Sequence, residues 1–184
     1  QVNHRPETNR TSVVQFEHNA TVDAQASNVA TELETEIREL RFYLQQDAPV
    51  VDAPSIGERM EERLQAIGVY TIQDLLDGDS DQIAEQLDHR RVDADTVLQW
   101  QQQTTLVCCI PMLRGHDAQL LVAADIVTPE DLAGWDADEL FQIIDPIARS
   151  KEGKRILRGG NLPDLEEVTD WINFAQHNRK LQAA

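Results

Sequence analysis

A pattern of helix starts, turns and apolar positions occurs twice in this 184-residue chain, at a constant offset. Pro54-Ser55-Ile56-Gly57 is matched by Pro111-Met112-Leu113-Arg114 (111 − 54 = 57). Leu64 and Ile67 are matched by Leu121 and Ala124, and Gly68-Val69-Tyr70-Thr71-Ile72-Gln73-Asp74-Leu75 by Asp125-Ile126-Val127-Thr128-Pro129-Glu130-Asp131-Leu132. The same spacing carries Ile83 onto Leu140 and Leu87 onto Ile144. It then lengthens, and Val97 and Trp100 align with Val168 and Trp171 at 71 residues, so the second copy carries about 14 extra residues (71 − 57 = 14) between Ile144 and Val168. One unit of this size can hardly bury its own apolar side, whereas two can bury theirs against each other. Residues 53–108 and 109–180 are therefore expected to form two similar helical units.

The repeated positions also specify what each unit contains. Thr71 and Thr128 each precede a carboxylate three residues on, Asp74 and Asp131. That is capping-box spacing, with Asp replacing the usual Glu. Pro129 fits the first helical position, where its missing N–H is harmless. Gly68 suits a left-handed helix end, and Asp125 tolerates one less well. Asp79, Asp136, Asp93 and Asp164 stand where a side-chain oxygen can start a helix. Each unit then reads as helix, tight turn, short helix, second short helix and a longer closing helix. Trp100 and Trp171 sit on the closing helices and, with Trp135, are expected in the core. No segment of useful length has strand period, and the fold class is all-α.

Upstream of the repeat, Val29, Leu33, Ile37, Leu40 and Leu44 are spaced 4, 4, 3 and 4 apart, which predicts one face of an amphipathic helix. Phe42 and Tyr43 widen its apolar surface. The expectation is a helix and linker over 29–52, with Leu40 and Leu44 buried and Val29 and Leu33 more exposed or in contact with another chain. Pro49 and Pro54 mark the linker around Asp47–Pro54. Residues 1–28 are polar and without period, and read as a flexible arm. Asn9 and Asn19 begin glycosylation sequons, which matter only in a secreted protein. The chain opens on Gln1 rather than Met. It is accordingly expected to be a fragment or a processed product.

The segment Pro54-Ser55-Ile56-Gly57, Leu64 and Gly68-Val69-Tyr70-Thr71-Ile72-Gln73-Asp74-Leu75 resembles the helix-hairpin-helix pattern of Pro-Gly-Ile-Gly, a helix, Gly-Ile, Thr, an acid and Leu. The duplicated arrangement closing on Val-x-x-Trp is similar to the bacterial family catalogued as domain of unknown function 4332, over roughly Asp52 to Arg179. The resemblance implies a fold more than an activity. Many helix-hairpin-helix proteins bind DNA without sequence preference. In them a Gly-containing hairpin lets backbone N–H groups approach a phosphate, where a Cβ would interfere. This chain departs from that pattern. Ser55 stands at the first glycine position of the hairpin Ser55, Ile56, Gly57, and the second hairpin is Met112, Leu113, Arg114. Glu58, Glu61 and Glu62 follow the first hairpin. Both hairpins are expected to serve helix packing.

The main basic feature is Arg149, Lys151, Lys154, Arg155 and Arg158, opposed only by Glu152, within the extra residues of the second copy. With Arg114 and His116 it forms the expected binding surface for an acidic partner or a phosphate backbone. His89-Arg90-Arg91 reads as a helix end. The formal net charge of −17 repels nucleic acid and anionic membranes at long range. No apolar run approaches the roughly 18–20 residues of a membrane span.

No catalytic constellation is legible. His116 and Asp117 are neighbours in sequence and, on a helix, are expected to point in different directions. Cys108 and Cys109 lie in an apolar run, without metal spacing, and read as two buried thiols of a reducing cytoplasm. No phosphate-binding loop, dinucleotide fingerprint or zinc signature is present. The expected function is a non-catalytic helical interaction module, without cofactor or metal. It would contact a protein partner or self-associate through the Val29–Leu44 helix. The alternative is a non-specific nucleic-acid-binding module acting through the second hairpin and the Arg149–Arg158 segment.

Overall fold

The local signals for helix starts and stops translate directly into the helices of the computed structural model, which describes residues 40–181. The first half contains α1 (Glu58–Ala66), α2 (Ile72–Asp77), α3 (Ser80–Leu87) and α4 (Ala94–Cys109). The second contains α5 (Gly115–Ala123), α6 (Pro129–Ala133), α7 (Ala137–Arg149), α8 (Lys151–Leu157) and α9 (Leu165–Ala175). The regular structure of the described residues is helical, with one isolated bridge between Pro49 and Thr71. The chain is therefore all-α in class.

Each start follows from a side chain. Thr71 accepts from the Asp74 N–H while the Asp74 carboxylate accepts from the Thr71 N–H, closing a capping box at α2. At α6 only half of it forms: Thr128 accepts from Asp131 N–H. Asp79, Asp93, Asp136 and Asp164 cap α3, α4, α7 and α9. Each satisfies an N–H that the helix cannot use itself.

The ends of α1 and α5 are also built alike. Val69 N–H donates to Leu64 O at 2.9 Å, and Ile126 N–H to Leu121 O at 3.0 Å. Gly68 and Asp125 between them are left-handed, with φ of 91° and 64°. The flanking Leu64, Val69, Leu121 and Ile126 are all buried. This is a Schellman closure with its apolar contact. One turn earlier, Ser55 (φ 67°) and Met112 (φ 59°) are left-handed as well. Between Pro54 and Gly57, and between Pro111 and Arg114, the chain buries Ile56 and Leu113. Each of these turns leads directly into a helix, α1 after Gly57 and α5 after Arg114. Ser55 Oγ donates to Gln103 Oε1 of α4 at 2.7 Å.

One continuous core joins the described residues. Trp100 and Trp171 are both buried in it, as are Ile83 and Leu140, Leu87 and Ile144, and Val97 and Val168. Trp135 packs at its edge, only partly buried. The helix α4 packs on α2, α3 and α5, and α9 packs on α6 and α7. Between Ile144 and Val168 the chain extends α7 to Arg149 and adds α8. Among the described residues no helix is long and apolar enough to cross a membrane.

Two expectations upstream need correction. Leu40–Leu44 is not helical; it runs as an irregular strap over the core. Leu44 is buried but Leu40 only partly so. Tertiary hydrogen bonds overrode the helical period here. Met112 N–H donates to Arg41 O at 2.7 Å, and Arg179 donates to Leu44 O at 2.8 Å. Val29, Leu33 and Ile37, and the arm 1–28 with its sequons, lie outside the described residues. Nor is Asp47–Pro54 a linker. Val50 is fully buried in a 3-10 turn, Val50–Asp52, and its N–H donates to Tyr70 O at 2.9 Å.

Candidate functional site

The basic residues of the second half do not form one patch. Arg149 closes α7, and its Nε donates to both oxygens of Asp145, at 2.9 and 2.8 Å. That hydrogen bond holds the Asp145 carboxyl below the usual carboxylate range. Arg155 donates to Glu152 at 2.8 Å. Lys151, Lys154 and Arg158 are exposed and form no ion pair among the described residues.

These cations stand where they do because of Gly153. Ser150 breaks α7 from α8 and caps α8 by accepting from Gly153 N–H at 3.0 Å. Gly153 is buried against the end of α7, and a Cβ there would lie 2.2 Å from Ile147 O and 2.5 Å from Ala148 O. Only glycine lets α8 fold back this closely. Arg158 then ends α8 in a left-handed conformation (φ 50°), followed by Gly159 (φ 84°). The chain turns and leaves a groove of about 560 Å³ lined by Arg149, Lys154, Leu157, Gly159, Gly160 and Leu162. Leu162, in that lining, is an exposed large hydrophobic. The groove therefore pairs an apolar floor with a cationic rim, on a chain whose net charge is −17. The basic run was legible in sequence. The apolar contribution of Leu157 and Leu162 was not, since it exists only after the turn at Arg158.

Arg114 and His116 lie elsewhere, at the start of α5, and take part in a different arrangement. Asp117 is buried, and its Oδ2 accepts from Arg114 N–H at 3.0 Å. His116 Nε2 lies 3.1 Å from Asp117 Oδ1, so the two side chains meet rather than point apart. The half-buried imidazole folds back over the helix start to the carboxylate, which is held inward by the Arg114 backbone. Glu167, in the first turn of α9, brings a third group, and His116, Asp117 and Glu167 offer atoms all within 4.8 Å of one another. Arg114 reaches Glu167 at 3.7 Å. Burial pushes the Asp117 carboxyl up to about 6, with His116 pulling the other way. The sequence signal for Asp117 was its place three residues after Arg114, a capping spacing. Glu167 carried none, because only the fold brings α9 to α5.

Of the hairpin residues, Ser55 donates to Gln103 and Ile56 is buried, while Met112 and Leu113 are bound up with the strap and core. Both thiols are buried, which pushes Cys108 up to about 12 and Cys109 to about 11. Burial thus disfavours the thiolate, the reactive form.

The model of one protein family, described as Domain of unknown function (DUF4332), matches residues 54–178. No curated protein and no solved structure matches the chain.

Proposed function

The chain belongs to the family described as Domain of unknown function (DUF4332), and we propose that it is a non-catalytic helical interaction module that binds an acidic, leucine-bearing segment of another protein in the α7–α8 groove. The observation that carries this reading is the groove itself, with Lys154 and Arg149 beside Leu157 and Leu162. An apolar floor with few placed charges suits a peptide side chain. Complementary charge steers the partner to it. Nucleic acid is the weaker reading. Its backbone meets the repulsion of a net charge of −17, and the floor presents leucine where a phosphate needs donors.

We further read the two halves as degenerate helix-hairpin-helix units. The left-handed Ser55 and Met112, at the first position of each hairpin, support that reading, because they keep the backbone that glycine provides in the pattern. Two unpaired buried thiols fit a reducing compartment, and the proposal places the module in the cytoplasm. Hydrogen exchange of the chain with and without a synthetic peptide alternating Glu and Leu tests the site. Added protection should concentrate on α8 and on residues 159–162. Protection confined to the hairpins at Ser55–Gly57 and Met112–Arg114 would reject the groove.

A further inference from the structure

We propose that His116 Nε2, Asp117 Oδ1 and a carboxylate oxygen of Glu167 together bind one divalent transition-metal ion of the zinc class. Three features of the geometry carry this. The ligand atoms lie within 4.8 Å of one another, so small side-chain rotations bring them around a single ion. The donor set is one imidazole nitrogen and two carboxylate oxygens, which suits zinc and its first-row neighbours better than magnesium or calcium.

Second, Asp117 is held in a way that favours a cation. Its side chain is 3% exposed, and Oδ2 already accepts from Arg114 N–H. Oδ1 faces the cluster and is paired there with His116 Nε2 at 3.1 Å. A buried carboxylate is costly unless a positive charge compensates it. A bound ion would do so fully, whereas His116 does so only when protonated. A separation near 3 Å is also what two ligands of one metal centre have at bond lengths of about 2.0–2.1 Å.

Third, the cluster is not a by-product of the repeated packing. At the repeat offsets the corresponding residues of the first half are Arg59, Met60 and Thr96, which could not hold such an ion. The side chains of His116 and Glu167 are 38% and 34% exposed, which leaves the ion a route in and room for water as a further ligand. Arg114, 60% exposed, is free to swing away from Glu167. The ion would then tie the first turn of α5 to the first turn of α9.

The test is a titration of the chelator-stripped full chain with Co²⁺, followed by its visible ligand-field bands and by competition with Zn²⁺ and with Mg²⁺. One Co²⁺ per chain should bind, Zn²⁺ should displace it and Mg²⁺ should not. His116→Gln and Glu167→Gln should each weaken binding about tenfold or more. Glu167→Gln changes a side chain near the surface, so circular dichroism should show it folded like the parent. Absence of bands at saturating Co²⁺, or bands unchanged in both variants, would overturn the site.

Discussion

Arg179 reaches the carbonyl oxygen of Leu44 with Nη2 at 2.8 Å, and so ties the last described turn of the chain to the first. The same guanidinium donates to Cys108 O at 2.7 Å and to Gln45 Oε1 at 2.8 Å. It also stacks over the Phe42 ring at 4.1 Å. One side chain thereby closes the end of α4, the upstream strap and the segment after α9. Hydrogen bonds from a charged donor are worth about 1.5–3 kcal/mol each, with part of that offset by solvent at a half-buried site. Arg179→Ala should therefore destabilise the chain by about 2–4 kcal/mol in urea unfolding. Arg179→Lys should recover less than half, because an ammonium lacks the planar fork that serves three acceptors. A loss below about 0.5 kcal/mol for Arg179→Ala would show that the strap is held by its apolar contacts alone.

The closures of α1 and α5 differ in one residue that can be exchanged. Asp125 is exposed and left-handed, where glycine avoids a Cβ clash of roughly 1 kcal/mol. Its carboxylate also opposes the negative end of the helix. Asp125→Gly should stabilise by about 0.5–1 kcal/mol, and Gly68→Ala should destabilise by about 1 kcal/mol. Thermal unfolding of both variants beside the parent measures this. Equal effects of the same sign would mean that the two ends are not equivalent.

Much of this architecture was legible because its signals are local. Thr71, Asp79, Asp93, Asp136 and Asp164 cap the helices that follow them, within three residues of the N–H groups they satisfy. Gly68 lies next to the helix it ends. What escaped depends on contacts far apart in sequence. The period of Val29–Leu44 has no information about Arg179, whose hydrogen bonds hold Leu44 and Gln45 out of a helix. Glu167 meets His116 only through the placement of α9. The groove depends on the close approach of Gly153 to Ile147 O and Ala148 O, and no local signal in the sequence marks that contact.

Asp117 gives the chain a specific dependence on pH. With its carboxyl raised to about 6 from an ordinary value of 3.8, the folded state holds a proton through a window where the unfolded chain has lost it. The stability this residue contributes is then present at lower pH and falls as pH rises through that window. At pH 7.5 the charged form is buried at a cost. Asn can still accept from Arg114 N–H without that charge. In the presence of a chelator, the stability of Asp117→Asn relative to the parent should be greater at pH 7.5 than at pH 5.0, by about 1 kcal/mol. Urea unfolding at the two values measures the gap. A gap that stays constant, or widens toward pH 5.0, would contradict the burial argument.

The claim that the α7–α8 groove takes an acidic protein segment is tested most directly by fluorescence anisotropy at about 0.15 M salt, where screening acts over roughly 8 Å. A labelled peptide alternating Glu and Leu and a labelled DNA duplex are titrated with the full chain, its Lys154→Glu/Arg158→Glu variant and its Leu162→Asp variant. The account predicts saturable binding of the peptide, a loss of about tenfold or more in each variant, and little or no binding of the duplex. Duplex binding tighter than peptide binding, or peptide binding unchanged in both variants, would contradict it.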